Sequence, residues 1–396
     1  MKLFNPATPC PYCYTAINPH RLAYRCSGRH AAGREQCLKT PDQARITHFN
    51  DSDPYWPVIM PTGSASARCP RCDAAPGPPM CPECHSLLPA EYGSDSALIG
   101  LVGVRQSGKT VMLSVLDYEL QNAVADRFDA TIDAPGGRSE LARNLRIYRD
   151  IMLKTDGQLP QQTAVNNSSA AIAKKDPAVY AWRYSRKMAI GISRTHSTVF
   201  SFYDNAGEDF ATPDKAMSQL YLGAASGVIL LLDPFGFPAN RGRADARGAS
   251  LPETGPEAVL DAITLVLRTA KRVKRNGRIK EPIAVVISKI DAFFDDIPPD
   301  HPVRRPSSSR PFFDETESRT VHDHIGAMVE QWGGGSLIRK LDNNYASFRL
   351  FGASALGAEP EYSSGRVSSR GLLPHRVAEP LLWLMATRNF IPMTGA

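Results

Sequence analysis

With 396 residues, 42% of them hydrophobic, the chain is long enough to bury a substantial core and has the composition of a folded globular protein. Its 46 basic residues are nearly matched by 40 acidic ones, and the resulting charge of +6 does not by itself demand a nucleic-acid partner. No stretch approaches the roughly 20 apolar residues that cross a bilayer, and Met1-Lys2-Leu3-Phe4 leads into prolines and cysteines rather than an apolar leader, so a cytoplasmic address is expected.

All eight cysteines lie in the first 84 residues. Their spacing suits metal ligation in a reducing compartment better than disulfides. Cys69-Pro70-Arg71-Cys72 and Cys81-Pro82-Glu83-Cys84 form two CxxC knuckles with zinc-ribbon spacing. Cys10-Pro11-Tyr12-Cys13, with Cys26 and Cys37, supplies a second set. Eight thiolates suffice for two closed zinc sites, which serve structure and docking rather than catalysis because no ligand position stays open. Spacing leaves exchange of knuckles between the two sites open. His20, His30, His48 and His85 then read as surface residues. A cysteine-rich segment over 1–50, a zinc ribbon over 62–90 and a larger domain over 96–396 are expected.

After a polar hinge at 91–96 the pattern changes to alternating strands and helices, the signature of a mostly parallel α/β sheet flanked by helices. An apolar strand, Ala97 to Val102, runs into Gly103-Val104-Arg105-Gln106-Ser107-Gly108-Lys109-Thr110, and a helix follows through Leu120 toward Val124. This GxxxxGK(S/T) turn reads as a phosphate-binding loop. Its backbone N–H groups and helix N-terminus face the phosphate oxygens, and glycines permit the approach. Lys109 reaches the outer phosphates, and Thr110 is placed to ligate magnesium.

Farther along, a strand is expected near 128–132, a helix near 139–148, and a flexible polar loop over 155–175. Strands follow at Tyr180–Met188 and Thr198–Tyr203, the second delivering Asp204-Asn205-Ala206-Gly207-Glu208. Asp204, at a strand end, is placed to hold magnesium through water. Gly227–Asp233 reads as a buried strand, 234–255 as a loop, and Pro256–Arg275 as a helix with a basic end. The strand Ile283–Ile287 delivers Ser288-Lys289-Ile290-Asp291. Residues 295–313 read as a mobile insertion, and His322 and His324 as surface residues of a helix. A last strand at 348–351 ends in Ser354-Ala355-Leu356, and a helix at about 374–389 closes the sheet.

In this order and spacing the motifs resemble the P-loop GTPases of the translation-factor-related clade. Gly103–Thr110 matches the phosphate loop and Asp204–Gly207 the DxxG motif. Ser288–Asp291 resembles the (N/T)KxD element, and Ser354–Leu356 the SAK element that backs guanine. The resemblance implies that Asp291 reads the guanine edge, that Lys289 packs along the base, and that Gly207 offers its N–H to the terminal phosphate. It implies GTP and GDP as ligands, hydrolysis of GTP with magnesium, and a switch threonine completing the magnesium shell. Thr163 is the candidate, with Thr155 second. Ser288 stands where Asn or Thr is usual, Glu208 where many relatives place a water-orienting glutamine, and Arg105 lies inside the phosphate loop. The combination with N-terminal knuckles resembles the bacterial double-GTPase group, which implies a protein partner such as a second GTPase or an effector. A zinc-ribbon adaptor binding nucleic acid or protein, with a regulatory or degenerate nucleotide site, is the alternative. An ATPase is disfavoured because the SKID element has no role in reading adenine.

Overall fold

The computed structural model describes residues 8–18, 20–61, 68–92, 96–103, 106–134, 140–154, 157–160, 177–187, 193–203, 220–369 and 371–394. The candidate residues Arg105, Thr155, Thr163, Asp204, Gly207 and Glu208 lie outside them.

The N-terminal module is built on a small antiparallel sheet of β1 (Ala23–Cys26), β2 (Val58–Ile59) and β3 (Pro76–Met80), with β1 in the middle. Helix α1 (Gln43–Phe49) starts where the Asp42 carboxylate accepts from Ala44 N, and ends where Asn50 turns into the left-handed region. Asp42 also accepts from Arg25 and contacts His85 Nδ1, both at 2.8 Å, which ties the helix to the sheet and to the last knuckle.

The larger part is a seven-stranded sheet of β4 (Ser96–Gly103), β5 (Ala130–Asp133), β6 (Ala178–Lys187), β7 (Ser193–Tyr203), β8 (Gly227–Leu232), β9 (Ile283–Ile287) and β10 (Phe348–Gly352). Their order is β10-β9-β8-β4-β7-β6-β5. The five strands β10, β9, β8, β4 and β7 are parallel, while β6 pairs antiparallel with β7 and β5 antiparallel with β6. Every residue of β8 and β9 is buried, so these apolar runs can only lie in the interior of a sheet covered on both faces.

Alternate residues of the strands feed two cores. One face carries Ile99, Leu101, Tyr180, Trp182, Phe200 and Phe202 against α2 (Lys109–Glu119), α3 (Glu140–Met152) and the C-terminal α8 (Glu379–Thr387). The other sets Val102, Leu230 and Val285 against α5 (Pro256–Ala270), α6 (Glu315–Gln331) and α7 (Gly335–Asn344). Between β8 and α5, the stretch expected as plain loop holds two 3-10 turns and the short helix α4 (Arg241–Arg247).

Several expectations are corrected. Helix α5 stops at Ala270 because Arg272 adopts φ 50°, and the basic run that follows forms a turn instead of a helix end. There the Arg268 guanidinium donates to the carbonyls of Gly277, Lys274 and Arg275. The helix that runs toward Val124 changes to a wider π turn at Leu120–Val124 and ends with Asp129 at φ 48°. Residues 295–313 are anchored at defined points, although many of them are exposed: Ile297, Val303 and Phe313 are buried, and Arg304 donates to the Phe294 and Ile297 carbonyls at 2.9 Å each. The final helix begins at Glu379, because His375 pairs its backbone with Ser354 instead. His322 is not a free surface residue; its Nδ1 accepts from Leu350 N at 2.9 Å, and burial lowers its pKa.

Candidate nucleotide site and cysteine clusters

The C-terminal ends of four neighbouring strands, β4, β8, β9 and β10, meet at one edge of the sheet. In open parallel sheets this edge is where ligands bind. β4 delivers the glycine-bracketed turn. A Cβ on Gly103 would lie 2.5 Å from Ser107 Oγ and 3.2 Å from the Leu231 carbonyl, so the turn closes against β8 only with glycine there. Gln106 at φ 67° and Gly108 at φ 83° supply left-handed turns, and α2 begins directly after Gly108. Lys109 is buried, at 7% exposure. Ser107 is fully buried, and its Oγ has no hydrogen-bond partner among the described residues. Thr110, the next residue, lies in the first turn of α2.

β9 delivers the SKID element. Ser288 Oγ donates to the Leu232 carbonyl at 3.2 Å, so its hydroxyl braces β8. Lys289 sits at φ 52° and donates to Asp233 Oδ2 at 2.6 Å. Asp233 has no exposed side-chain area, and its other oxygen accepts from Phe235 N, starting the turn after β8. Asp291 lies at the start of the following turn. Its Oδ1 is buried with no partner among the described residues. Burial pushes its carboxyl above the usual 3.8, with Ser354 and Lys289 pulling it back down. Buried carboxylate oxygens are normally satisfied, so this one has capacity for a further donor.

β10 delivers Ala353-Ser354. Ala353 N donates to the Ile287 carbonyl and Ile290 N to the Ala353 carbonyl, which locks this loop beside the SKID turn. Ser354 Oγ accepts from Gly357 N at 2.8 Å, shaping the turn that carries Ala355 and Leu356. Asp233 escaped the sequence reading, although an acid ending the wholly apolar run Gly227–Leu232 is a visible signal. Arg247, Glu359 and Tyr362 escaped it too. Glu359 meets Arg247 at 3.2 Å and Tyr362 at 3.3 Å, and burial followed by the nearby Asp291 pushes its carboxyl up. They lie in loops of no distinctive pattern.

Alanine at Gly103 is expected to force Ser107 and the Leu231 carbonyl apart, lowering stability by about 1–3 kcal/mol in urea unfolding.

The cysteines group differently from the expected ribbon. Cys10, Cys13, Cys81 and Cys84 form one buried set, and Cys26, Cys37, Cys69 and Cys72 the other. The knuckles at 69–72 and 81–84 cannot share an ion because the strand Pro76–Met80 lies between them, extending about 16 Å. Each knuckle has one local form: the residue after its second cysteine, Tyr14, Asp73 or His85, is left-handed, and its N–H bonds back to the first cysteine's carbonyl. N–H groups of Tyr12, Gly28 and Glu83 point at sulfurs of Cys10, Cys26 and Cys81 at 3.4 Å. Sulfur pairs stand 3.5 to 3.8 Å apart. Four sulfurs about 2.3 Å from one tetrahedral centre are about 3.8 Å apart, so both sets could hold a metal ion.

No family model matches the sequence. Over 402 residues the chain is 24% identical to a Mycolicibacterium smegmatis protein, SaeC, named as a candidate ESX-1 scaffolding and assembly protein, covering 95% of this chain and 97% of that one. Among solved structures it is similar to the small GTPase Arl6 of Trypanosoma brucei, at 11% identity and a TM-score of 0.29, covering 74% of this chain and 98% of the other. The GTPase-like domain of Ski7 from S. cerevisiae gives 10% identity and a TM-score of 0.31, covering 74% and 50%. Among the described residues no helix is long and apolar enough to cross a membrane.

Proposed function

We propose that the chain is a GTP-binding switch that hydrolyses GTP to GDP and phosphate. The observation that carries this reading is the buried Asp291 Oδ1, without a partner among the described residues, beside Lys289 and Ser354, one strand end over from Asp233 and two from the glycine-bracketed turn. A carboxylate there accepts from both N1–H and the 2-amino group of guanine, a pair of donors that adenine lacks on that edge. Lys289, held by Asp233, packs its stem along the base. The amides of 106–109 and the Lys109 ammonium bind the phosphates, and the helix N-terminus at Gly108 favours their charge. When bound, magnesium neutralises charge on the outer phosphates, and Thr110, Asp204 and Thr163 are the residues proposed to hold it. The Gly207 amide would sense the terminal phosphate. Glu208, which the resemblance sets where many relatives have a water-orienting glutamine, would disfavour fast unaided hydrolysis.

The two cysteine sets are proposed to hold zinc, and the similarity to a protein named for scaffolding and assembly supports action within a multiprotein bacterial system. In that reading a partner protein, such as a second GTPase of the double-GTPase kind, reads the nucleotide state. Titration of the purified chain with GTP, GDP and ATP, with and without magnesium, tests the assignment. Guanine nucleotides should bind and ATP should not; equal affinity for ATP would sink the base assignment. Phosphate release without a partner is expected at about 10⁻² s⁻¹ or slower.

A further inference from the structure

A sheet with buried strands needs cover on both faces. Over β8, β9 and β10 one face is covered by α5, α6 and α7, as in other doubly wound sheets. Over β6 and β7 that role passes to a different kind of element. Val179 of β6 is 1% exposed and Val199 of β7 fully buried, and both belong to one cluster with Cys10, Cys13, Cys81 and Cys84. The sulfur cage is thus part of the wall of the sheet.

Two further contacts fix this docking. Arg183 of β6 meets Glu91 at 3.2 Å, and Tyr92 donates to the Thr8 carbonyl at 2.6 Å, drawing the ends of the module together against the strands. The outer set is placed otherwise. Cys26, Cys37, Cys69 and Cys72 cluster with Ile59, Ala74, Tyr24 and Trp56, and that cluster contains no residue of the seven-stranded sheet.

The connection to the nucleotide edge is short. Val199 is the register partner of Ser96, the first residue of β4, and β7 runs parallel beside β4 as far as Gly100. β4 then ends at Gly103, where the phosphate turn begins. Whatever orders the outer face of β7 therefore orders the strand from which that turn hangs.

We propose that the two metal sites are unequal: the inner set, Cys10, Cys13, Cys81 and Cys84, is linked to the nucleotide site through β7 and β4, whereas the outer set is not. This rests on the reading of the strand-end edge as a guanine-nucleotide site. Linkage of two binding sites is reciprocal, so zinc at the inner set tightens GDP binding by the same factor by which GDP tightens inner zinc. The inner cage is a switchable support for the phosphate turn, and the outer cage is left free for another role.

The experiment uses the full chain loaded with zinc. In equilibrium competition with a chromogenic chelator, saturating GDP should raise the affinity for one of the two zinc ions by about tenfold and leave the other unchanged. Cys81→Ser should weaken GDP binding by a similar factor, while Cys69→Ser should leave it within about twofold. The wild-type competition keeps the test independent of whether Cys81→Ser folds. GDP binding with no effect on either zinc ion, or with the same effect on both, would overturn the linkage. Failure of the wild-type chain to bind GDP at all would instead overturn the nucleotide reading on which it stands.

Discussion

Replacing Asp291 with Asn is expected to weaken GTP binding by about a hundredfold or more and to transfer preference to xanthosine triphosphate. The carboxylate accepts two hydrogen bonds from guanine. Asn can accept one and places an amide N–H₂ against the purine 2-amino group, donor against donor. Losing one charge-assisted bond, weakening the other and setting donor against donor costs roughly 3 kcal/mol or more, which is about a hundredfold in affinity. Xanthine carries an oxygen where guanine carries the amine, so it accepts what Asn now donates. Lys109→Ala should weaken both nucleotides alike, because it touches phosphate and not base. Fluorescent-nucleotide competition measures the affinities of the wild type and both variants for the two nucleotides. GTP preferred by Asp291→Asn as strongly as by the wild type would exclude the role given to this carboxylate.

A pH dependence follows from the same group. Burial raises the Asp291 carboxyl above its ordinary 3.8 in the free chain. A carboxyl raised on folding contributes stability below 3.8 that is lost as pH rises through the raised value. Guanine needs the ionised form, so binding expels the proton. GTP affinity is therefore flat above the raised pKa and falls as pH drops through it, approaching tenfold per unit. Asp291→Asn should abolish that slope.

Much of the sheet was legible in the sequence because its central strands are uninterrupted apolar runs. Gly227–Leu232 and Ile283–Ile287 have no solvent face, so nothing but a doubly covered sheet suits them. The glycine-bracketed turn was legible because its glycines answer to geometry: one avoids the Leu231 carbonyl and the other holds φ 83°. Other features depend on which segments meet in space. The crossed cysteine sets follow from β1 pairing with β3, which sets Cys26 opposite Pro76 and carries the outer half of the cage to one side. Helix α7 was hidden behind the run Gly333-Gly334-Gly335, which reads as a turn, although Leu337 and Leu341 mark a buried i, i+4 face. The grip of Asp233 on Lys289 joins two strand ends 56 residues apart, and no local pattern announces it.

The second large effect is expected away from the ligand edge, at Arg376. Its side chain is 1% exposed and donates to both oxygens of Glu379 at 2.7 and 2.8 Å and to Glu317 at 2.7 Å. Its Nε donates to the Arg305 carbonyl at 2.8 Å. The guanidinium thus binds the packed segment around 302–306 to the start of α8. Its neighbour His375 pairs with Ser354 through the backbone and contacts the Val303 carbonyl at 2.7 Å, so the staple also backs the loop behind Asp291. Burial already pushes the Glu379 carboxyl above its usual 4.5, opposed chiefly by Arg376. Arg376→Met removes that opposition and leaves a buried acid beside Glu317, a change that costs about 3–5 kcal/mol. A carboxyl raised on folding loses stability as pH rises, so the variant should be less impaired at pH 5 than at pH 8. Adding Glu379→Gln removes the stranded charge and should recover a large part of the loss, with little pH dependence. Urea midpoints of the single and double variants at the two pH values measure this. If the single variant loses less than about 1 kcal/mol, Arg376 is only one of many surface-grade ion pairs, and the loop behind Asp291 is held by its backbone pairing alone.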